Sequence, residues 1–286
     1  MTHTRTPAIT AITAATAPID AGELFYESTG EGPPVVLLHG GMLDLTMWDE
    51  QFTRLATLGH HVIRYDARGH GRSSTVSRDY AHHDDLHALL THLDIPRATL
   101  VGLSLGARTA IDTALAHPQS VSALILASPG VSGRPFTDPY VAHHTAQQIA
   151  AIGDPAHGAQ RFVEHFLRMW VDGPHREPSQ VNPRLRARLH ASATANVARH
   201  AHGLGAGTPQ EIGAADRLAS IGAPTLVLDG ELDSTDITSN AQAIARSVPD
   251  AEHQRLASAA HMVNLESQGP FNLAVESFLA STTDHT

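Results

Sequence analysis

Residues 100–106 read LVGLSLG, and this stretch decides the fold because a serine stands between an apolar strand pattern and a helix pattern. The segment before it, ATLVGL, is short and apolar, and the segment after it, GARTAIDTALAHP, has small and apolar residues at helical spacing. Gly102 and Gly106 flank Ser104. A G-x-S-x-G pattern between a strand and a helix predicts a sharp turn that lifts the hydroxyl above the sheet edge. The alternative is that Ser104 only caps the helix.

Strand and helix patterns alternate on both sides of this turn. The predicted strands are nearly continuous apolar runs, which are typical of a mainly parallel sheet with helices on both faces. They cover residues 22–29, 33–40, 60–69, 97–104, 121–130, 223–233 and 251–261. The predicted helices between and after them cover residues 47–59, 80–95, 105–118, 238–249 and 271–281. The fold class is therefore predicted to be α/β.

The alternation stops between residues 131 and 212, where the sequence favours helices but is interrupted by Pro and Gly. We therefore predict an α/β core from residues 17–130 and 213–286, with a helical cap inserted at 131–212. Residues 1–16 are rich in Thr and Ala and are expected to form a flexible tail. They contain no continuous apolar segment after a basic start, so we do not expect a secretory signal. We expect a cytoplasmic location instead.

Composition excludes several kinds of chemistry. The 286-residue chain has no Cys, which rules out disulfides, thiolate metal sites and a cysteine nucleophile. It also has no Lys, which rules out the lysine of phosphate-binding loops and Schiff-base catalysis. The formal charge of −10 argues against a nucleic-acid partner, and no apolar run is long enough to predict a membrane span. The Ala- and Arg-rich, Lys-free composition suggests a bacterial coding sequence.

A serine hydroxyl becomes an effective nucleophile only when a base accepts its proton. His261, in ASAAHMVNLE, follows the last predicted strand, at the edge where the sites of open parallel sheets gather. A carboxylate that orients the imidazole is expected after the preceding strand. The segment TLVLDGELDSTD offers Asp229, Glu231, Asp233 and Asp236. The chain order Ser, Asp, His, each after a strand, is the order that a nucleophile turn of this kind predicts.

An oxyanion hole requires backbone N–H groups that point to one oxygen. Leu105, directly after the serine, can supply one of them. The segment LLHGGMLD, where a strand ends in two glycines, can supply the other. An ordinary turn at the end of a strand is the alternative reading of His39, Gly40 and Gly41.

Five segments of the chain resemble the α/β-hydrolase family, and together they extend over the core from about residue 20 to 280. Within that family the chain is most similar to the branch of esterases, enol-lactonases and cofactor-free haloperoxidases. The segments are VVLLHGG (35–41), VIRYDARGHGRSS (62–74), LVGLSLGA (100–107), PTLVLDGELD (224–233) and AAHMVNLESQGPFN (259–272).

This resemblance implies a role for each residue that matches a family motif. Ser104 would be the nucleophile, His261 the base and Asp233 the acid. Gly41 and Leu105 would supply the oxyanion N–H groups, with Met42 as an alternative to Gly41. The loop at 62–74 would be structural, with Asp66 and Arg68 organising it beside the site.

The chain departs from the family pattern after the acid and after the histidine. Many relatives have a proline three or four residues beyond the acid, which DSTDI lacks, and this leaves Asp236 as an alternative to Asp233. Many also have a proline two residues after the histidine, where this chain has Val263. Some members carry the acid after the sixth strand, but LASPG has no carboxylate there, which favours Asp233.

The cap contains one amphipathic segment, AQRFVEHFLRMWVDG, in which four large apolar residues recur at helical intervals. They either line an acyl pocket above Ser104 or only attach the cap to the core. These residues are Phe162, Phe166, Met169 and Trp170.

Two clusters of polar residues elsewhere in the predicted cap are not assigned a functional role. The arginines of NPRLRARLH could bind an acidic substrate, but a solvated helix face is the favoured interpretation of Arg184, Arg186 and Arg188. His143 and His144 lack a third ligand at metal-binding spacing, so no metal is predicted.

Taken together, these patterns predict a serine hydrolase, without a cofactor, that cleaves a carboxylic ester or lactone through an acyl-enzyme. The expected partner is a small molecule with an apolar acyl group, and the expected state is a monomer or small homo-oligomer. The same fold and residues also allow carbon–carbon bond hydrolysis, peracid formation, a non-hydrolytic cyclase or small-molecule binding, because the cap selects the substrate.

Overall fold

Eight strands form one sheet in the computed structural model, which describes residues 11–283. The strands are β1 (Thr13–Ile19), β2 (Gly22–Thr29), β3 (Pro34–Leu38), β4 (His61–Tyr65), β5 (Ala98–Leu103), β6 (Val121–Ala127), β7 (Thr225–Gly230) and β8 (Ala251–Leu256). Their order across the sheet is β1-β2-β4-β3-β5-β6-β7-β8. The hairpin β1–β2 and the pair β2–β4 are antiparallel, and all other pairs are parallel. The predicted α/β class with a mostly parallel sheet is confirmed.

Nine α-helices accompany the sheet within the described residues. They are α1 (Asp49–Thr57), α2 (His82–His92), α3 (Leu105–Ala116), α4 (Pro139–Ile152), α5 (Gly158–Leu167), α6 (Pro183–His200), α7 (Thr235–Ser247), α8 (Val263–Glu266) and α9 (Gln268–Thr283).

Hydrophobic residues pack on both faces of the sheet, which is why the central strands are continuously apolar. Along β3, Val35 and Leu37 belong to one buried cluster, and Val36 and Leu38 belong to the other. This alternation follows from the two-residue period of a strand. All six residues of β5 are buried, so the strand that leads to Ser104 lies at the centre of the fold. A turn carried by this strand has a rigid base.

The segment between β6 and β7 folds into α4, α5 and α6. The strands β6 and β7 are direct neighbours, since Leu124 pairs with Thr225 and Ala127 pairs with Leu228. The helical segment therefore leaves the sheet and returns to it at adjacent positions. The amphipathic stretch with apolar residues at helical intervals is divided in the structure, because α5 ends at Leu167 and a π-helical turn, Arg168–Asp172, follows it.

Helix α6 is attached to the core by polar contacts. Arg188 donates to a carboxylate oxygen of Asp49 at 2.9 Å, and the Ser192 hydroxyl donates to Asp44 at 2.6 Å. Within the segment, Arg186 binds the fully buried Asp172 at 2.9 Å, and this bond raises the pKa of Arg186. Two of the three arginines considered for substrate binding are thus engaged in ion pairs.

Strand β1 was not predicted, and it shortens the expected N-terminal tail. Residues 13–16, assigned above to the tail of residues 1–16, lie in β1, while residues 1–10 lie outside the described residues. The strand sits at the sheet edge and buries only Ala17 completely, so its Thr- and Ala-rich sequence lacks the apolar alternation that identifies strands. Its backbone pairing with β2 determines its structure.

No helix between residues 11 and 283 combines the length and the apolar character that a membrane crossing requires.

Candidate active site

Ser104 lies in the turn between β5 and α3 with a backbone conformation that L-residues rarely adopt. Its φ is 55° and its ψ is −105°, and its side chain makes no capping hydrogen bond to α3. The capping interpretation of Ser104 therefore lacks the contact on which it depends. Strained backbone of this kind persists where the surroundings enforce it, and it recurs at active sites.

Two glycines make this turn possible because no side chain fits at their positions. A Cβ at Gly102 would lie 2.3 Å from the carbonyl carbon of Gly106. A Cβ at Gly106 would lie 2.2 Å from the carbonyl oxygen of Leu38 on β3. The G-x-S-x-G spacing is thus required by the close approach of β5, α3 and β3.

His261 and Asp233 form a buried hydrogen-bonded pair. His261 Nδ1 lies 2.8 Å from Asp233 Oδ2, and the two residues are 1% and 3% exposed. Asp233 follows β7 in the loop before α7, and His261 lies in the loop between β8 and α8. Because a carboxylate only accepts, Nδ1 carries the proton and donates it, which leaves Nε2 as the free acceptor of a neutral imidazole.

The other three carboxylates considered for this role have different partners. Asp236 accepts from the backbone N–H of Thr137 and of Asp138, so it ties α7 to the start of the cap. Asp229 is buried between His253 and Arg255 of β8, and Glu231 accepts from the N–H of Ser258.

The turn after β3 lies against the turn at Ser104. A Cβ at Gly40 would be 3.9 Å from the Cβ of Ser104, and a Cβ at Gly41 would be 3.9 Å from that of Leu105. The N–H of Gly40 is directed to the Met47 sulfur at 3.2 Å, whereas the N–H of Gly41 has no partner among residues 11–283. Leu105 is the first residue of α3, where backbone N–H groups have no partner within the helix. Two N–H groups are thus available beside the serine.

A cavity of about 240 Å³, which we call the Ser104 pocket, joins these parts. The sheet side contributes Ser104, His261, Gly41, Met42 and Leu105, and the cap contributes a mostly apolar wall. That wall contains Phe136, Gln148, Phe162, Phe166 and Trp170.

Three of the four predicted cap residues line the Ser104 pocket, and Met169 does not. The π-helical turn directs Trp170 to the ring of His261, while Met169 is buried inside the cap with its sulfur 3.5 Å from the Thr145 hydroxyl. The predicted helical interval fails at this position because a π turn adds a residue per turn and changes the direction of the side chains that follow. Arg184, Arg186 and Arg188 do not line the pocket.

A salt bridge fixes the cap to the His261 loop. Glu266 accepts from the N–H of Ala260, next to His261, at 3.2 Å, and its other oxygen binds Arg176 at 2.5 Å. Arg176 also donates to the carbonyl of Asp172 at the end of the π turn. The turn that carries Trp170 and the loop that carries His261 are therefore held together.

A second, larger cavity of about 450 Å³ lies next to the Ser104 pocket, and Met42 and Phe162 line both. We call it the distal cavity. It lies between α6, the end of α4 and the loop after β4, and it includes His70 and Asn196. No sequence pattern predicts this cavity, because its walls come from distant segments that meet only when the cap packs on the core.

The loop after β4 has the structural role that its motif implied. Asp66 accepts from the N–H of Leu45 at 2.8 Å and from that of Arg72 at 2.7 Å. Arg68 makes two hydrogen bonds to Asp85 of α2, and this pairing raises the pKa of Arg68. The loop is thus held on both sides, and it carries His70 to the distal cavity.

The sequence of residues 33–268 matches the family model described as alpha/beta hydrolase fold. The chain belongs to the α/β-hydrolase family. The resemblance read from the five segments is therefore confirmed.

Individual relatives agree with this assignment. A hydrolase from Pseudomonas aeruginosa PA01 has 30% identity and a TM-score of 0.76, over 93% of this chain and 98% of that one. Est816, described as an N-acyl homoserine lactone degrading enzyme, has 30% identity and a TM-score of 0.76, over 92% of this chain and 100% of that one. A putative non-heme chloroperoxidase of Synechocystis is 42% identical over 87 residues, which is 29% of this chain and 32% of the relative.

Proposed function

We propose that this protein is a serine hydrolase that cleaves carboxylic esters or lactones through an acyl-enzyme. The observation that carries the proposal is the buried pair of His261 and Asp233, whose geometry leaves Nε2 as a proton acceptor in a pocket that also contains Ser104. Similarity to a lactone-degrading enzyme over nearly the whole chain supports a lactone or ester as the substrate.

In the proposed mechanism the Ser104 hydroxyl attacks the acyl carbon while His261 Nε2 accepts its proton. Asp233 holds the imidazole in the required tautomer and stabilises its charged form. The new oxyanion is bound by the N–H groups of Gly41 and Leu105, and the loss of one such donor typically costs about 100- to 1000-fold in rate. Met42, which follows Gly41 with a φ of 64°, is the alternative donor.

The same groups then release the alcohol, which completes the acyl-enzyme, and afterwards the acid. The protonated His261 gives its proton to the leaving alcohol oxygen as the acyl–oxygen bond breaks. A water then attacks the acyl-enzyme, His261 accepts its proton, and the carboxylic acid is released as Ser104 recovers its hydrogen. No cofactor or metal takes part in these steps.

The cap is proposed to select the acyl group. Phe162, Phe166 and Trp170 give the Ser104 pocket an apolar wall, which favours apolar acyl groups of moderate size.

The deciding experiment is labelling with a fluorophosphonate together with turnover of p-nitrophenyl esters. The unmodified protein should be labelled rapidly, and Ser104→Ala should lose labelling and nearly all turnover while remaining folded. Ser128→Ala is the matched control, because Ser128 is a fully buried serine with positive φ at the end of β6 that does not line the Ser104 pocket. An inert Ser104 in the unmodified protein would instead favour a binding or cyclase role, and unchanged turnover in Ser104→Ala would refute the proposal.

A further inference from the structure

The end of the π turn in the cap lies directly on the loops that carry the proposed acid and base. Gly173 follows the turn with a φ of 76°. A Cβ at this position would be 3.1 Å from the Cβ of Ala260 and 3.1 Å from the carbonyl oxygen of Leu232. Ala260 precedes His261, and Leu232 precedes Asp233. This part of the cap is therefore in contact with the backbone on which both side chains depend.

Arg176 joins the π turn to the loop of His261 through one guanidinium group. Its Nε donates to the carbonyl oxygen of Asp172 at 2.8 Å, and one terminal nitrogen donates to that of Val171 at 2.9 Å. The other terminal nitrogen donates to Glu266 at 2.5 Å. The side chains of Arg176 and Glu266 are only 12% and 7% exposed. Because the guanidinium is planar and rigid, it fixes the end of the turn and the carboxylate relative to each other.

Glu266 extends this connection to the proposed base. Its second carboxylate oxygen accepts from the N–H of Ala260 at 3.2 Å. The loops of the acid and the base are also joined, since the N–H of Leu232 donates to the carbonyl oxygen of Ala259 at 2.9 Å. The hydrogen bond at Nδ1 orients the imidazole of His261, but the position of the ring also depends on the backbone that carries it.

We propose that Arg176 and Glu266 are positioning residues whose ion pair uses the cap to hold the imidazole of His261 in place. Neither residue lines the Ser104 pocket, so they act through His261 and not on the substrate. The inference rests on the proposed function, in which it gives the cap a role in base catalysis besides the selection of the acyl group. Small displacements of a catalytic group have large effects on rate, because a misplacement of about 1 Å can cost about 100-fold.

The time course of fluorophosphonate labelling tests the positioning role. In Arg176→Gln and in Glu266→Gln the rate constant of labelling should fall by about tenfold, while the final extent stays complete. A purely structural role gives a different result, since an unfolded fraction lowers the extent of labelling and leaves the rate constant of the folded molecules unchanged. Steady-state kinetics should agree, with the decrease in kcat and an unchanged KM.

The two variants also separate positioning from electrostatics. Arg176→Gln removes a positive charge and Glu266→Gln removes a negative one, so an effect of charge alone on the basicity of His261 would change the two rates in opposite directions. Positioning lowers both. Arg176→Gln combined with Glu266→Gln should lose about tenfold and not about 100-fold, because both residues act through one contact. The double variant also leaves no unpaired buried charge, so it is the variant best able to fold.

Hydrogen–deuterium exchange measures the same connection without any chemistry at Ser104. Backbone exchange in the segment 257–262 should become about tenfold faster in both single variants, while exchange in the central strand β5 is unchanged. Arg188→Gln is the matched control, because Arg188 also joins the cap to the core, by its bond to Asp49 at 2.9 Å. This control should change neither the labelling rate nor exchange in the segment 257–262.

The inference is overturned if the two single variants change the labelling rate in opposite directions, if only the extent of labelling falls, or if exchange in the segment 257–262 is unchanged. Failure of the proposed function looks different. If the unmodified protein is not labelled, the hydrolase proposal is refuted, whereas faster exchange in the segment 257–262 of both variants still supports the role of the ion pair in holding the loop of His261.

Discussion

The indole ring of Trp170 lies against the imidazole of His261, with 4.5 Å between the ring centroids and 43° between the ring planes. Trp170 belongs to the cap and His261 to the core, so this contact links the segment that is proposed to select the substrate to the proposed base. Phe136 packs on Trp170, with 5.4 Å between the ring centroids.

Replacing Trp170 should therefore affect catalysis through the position of the imidazole. An aromatic pair contributes about 0.5–1.5 kcal/mol, so Trp170→Ala should lower kcat/KM for p-nitrophenyl butyrate by about two- to tenfold, mainly through kcat. Trp170→Phe retains a ring and should recover most of the loss. Steady-state kinetics on the folded variants measure both parameters. A decrease in kcat/KM that comes only from a higher KM would indicate that Trp170 lines the pocket but does not position His261.

Asp233 and Asp236 should respond differently to the same substitution. Asp233→Asn removes the acceptor that fixes the His261 tautomer and should reduce kcat by about 10⁴-fold. Asp236→Asn weakens contacts to the N–H groups of Thr137 and Asp138, so it should lower the thermal midpoint while the folded enzyme keeps most of its activity. Equal losses of kcat in the two variants would contradict the assignment of the acid.

Gly106 should tolerate no side chain in the nucleophile turn. Gly106→Ala places a methyl group 2.2 Å from the carbonyl oxygen of Leu38, and the resulting shift of α3 or β3 should lower the free energy of unfolding by about 3 kcal/mol. Gly222→Ala is the control, because nothing lies within 4 Å of a Cβ there. Urea denaturation of both variants measures the difference, and a stable Gly106→Ala protein would refute the close approach.

His82 should make the protein less stable in mild acid. Burial, followed by the nearby His39 and Arg108, lowers the pKa of His82 to about 3, whereas the unfolded chain has the ordinary value of 6.5. Between these values the unfolded state binds the additional proton, so this residue reduces stability by about 1.4 kcal/mol for each pH unit below 6.5.

His82→Phe keeps the ring beside Tyr80 and removes this titration. The free energy of unfolding of the variant should fall less than that of the parent protein between pH 7 and about pH 5, as urea denaturation at both values measures. His202→Phe, at an exposed site, controls for the exchange of a histidine for phenylalanine. A parallel decrease in the parent protein and His82→Phe would contradict the prediction.

The core and the proposed triad could be read from the sequence because both depend on local patterns. The apolar run of β5 and the glycines around Ser104 reflect constraints that act within a few residues, and Asp233 and His261 each come shortly after a strand. Asp233 was separated from Asp236 only by family resemblance, and the structure separates them by their partners.

What the sequence left open depends on contacts between distant segments. Strand β1 exists because its backbone pairs with β2, and its side chains carry no signal of this. Met169 does not line the Ser104 pocket, because a π-helical turn interrupts the period of α5. Asn196 contacts Gly71 only when α6 packs on the loop after β4, and one buried Asn within a helix is not a sequence signal for that contact.

The attachment of the cap to two adjacent strands has an evolutionary consequence. An insertion whose ends meet the sheet side by side can be lengthened, shortened or exchanged without moving any strand, and each doubling of a flexible segment costs only about 0.6 kcal/mol. Under the proposed function, new substrate ranges can therefore arise in descendants of this gene by changes confined to a single internal segment, while the turn that carries the serine is inherited unaltered.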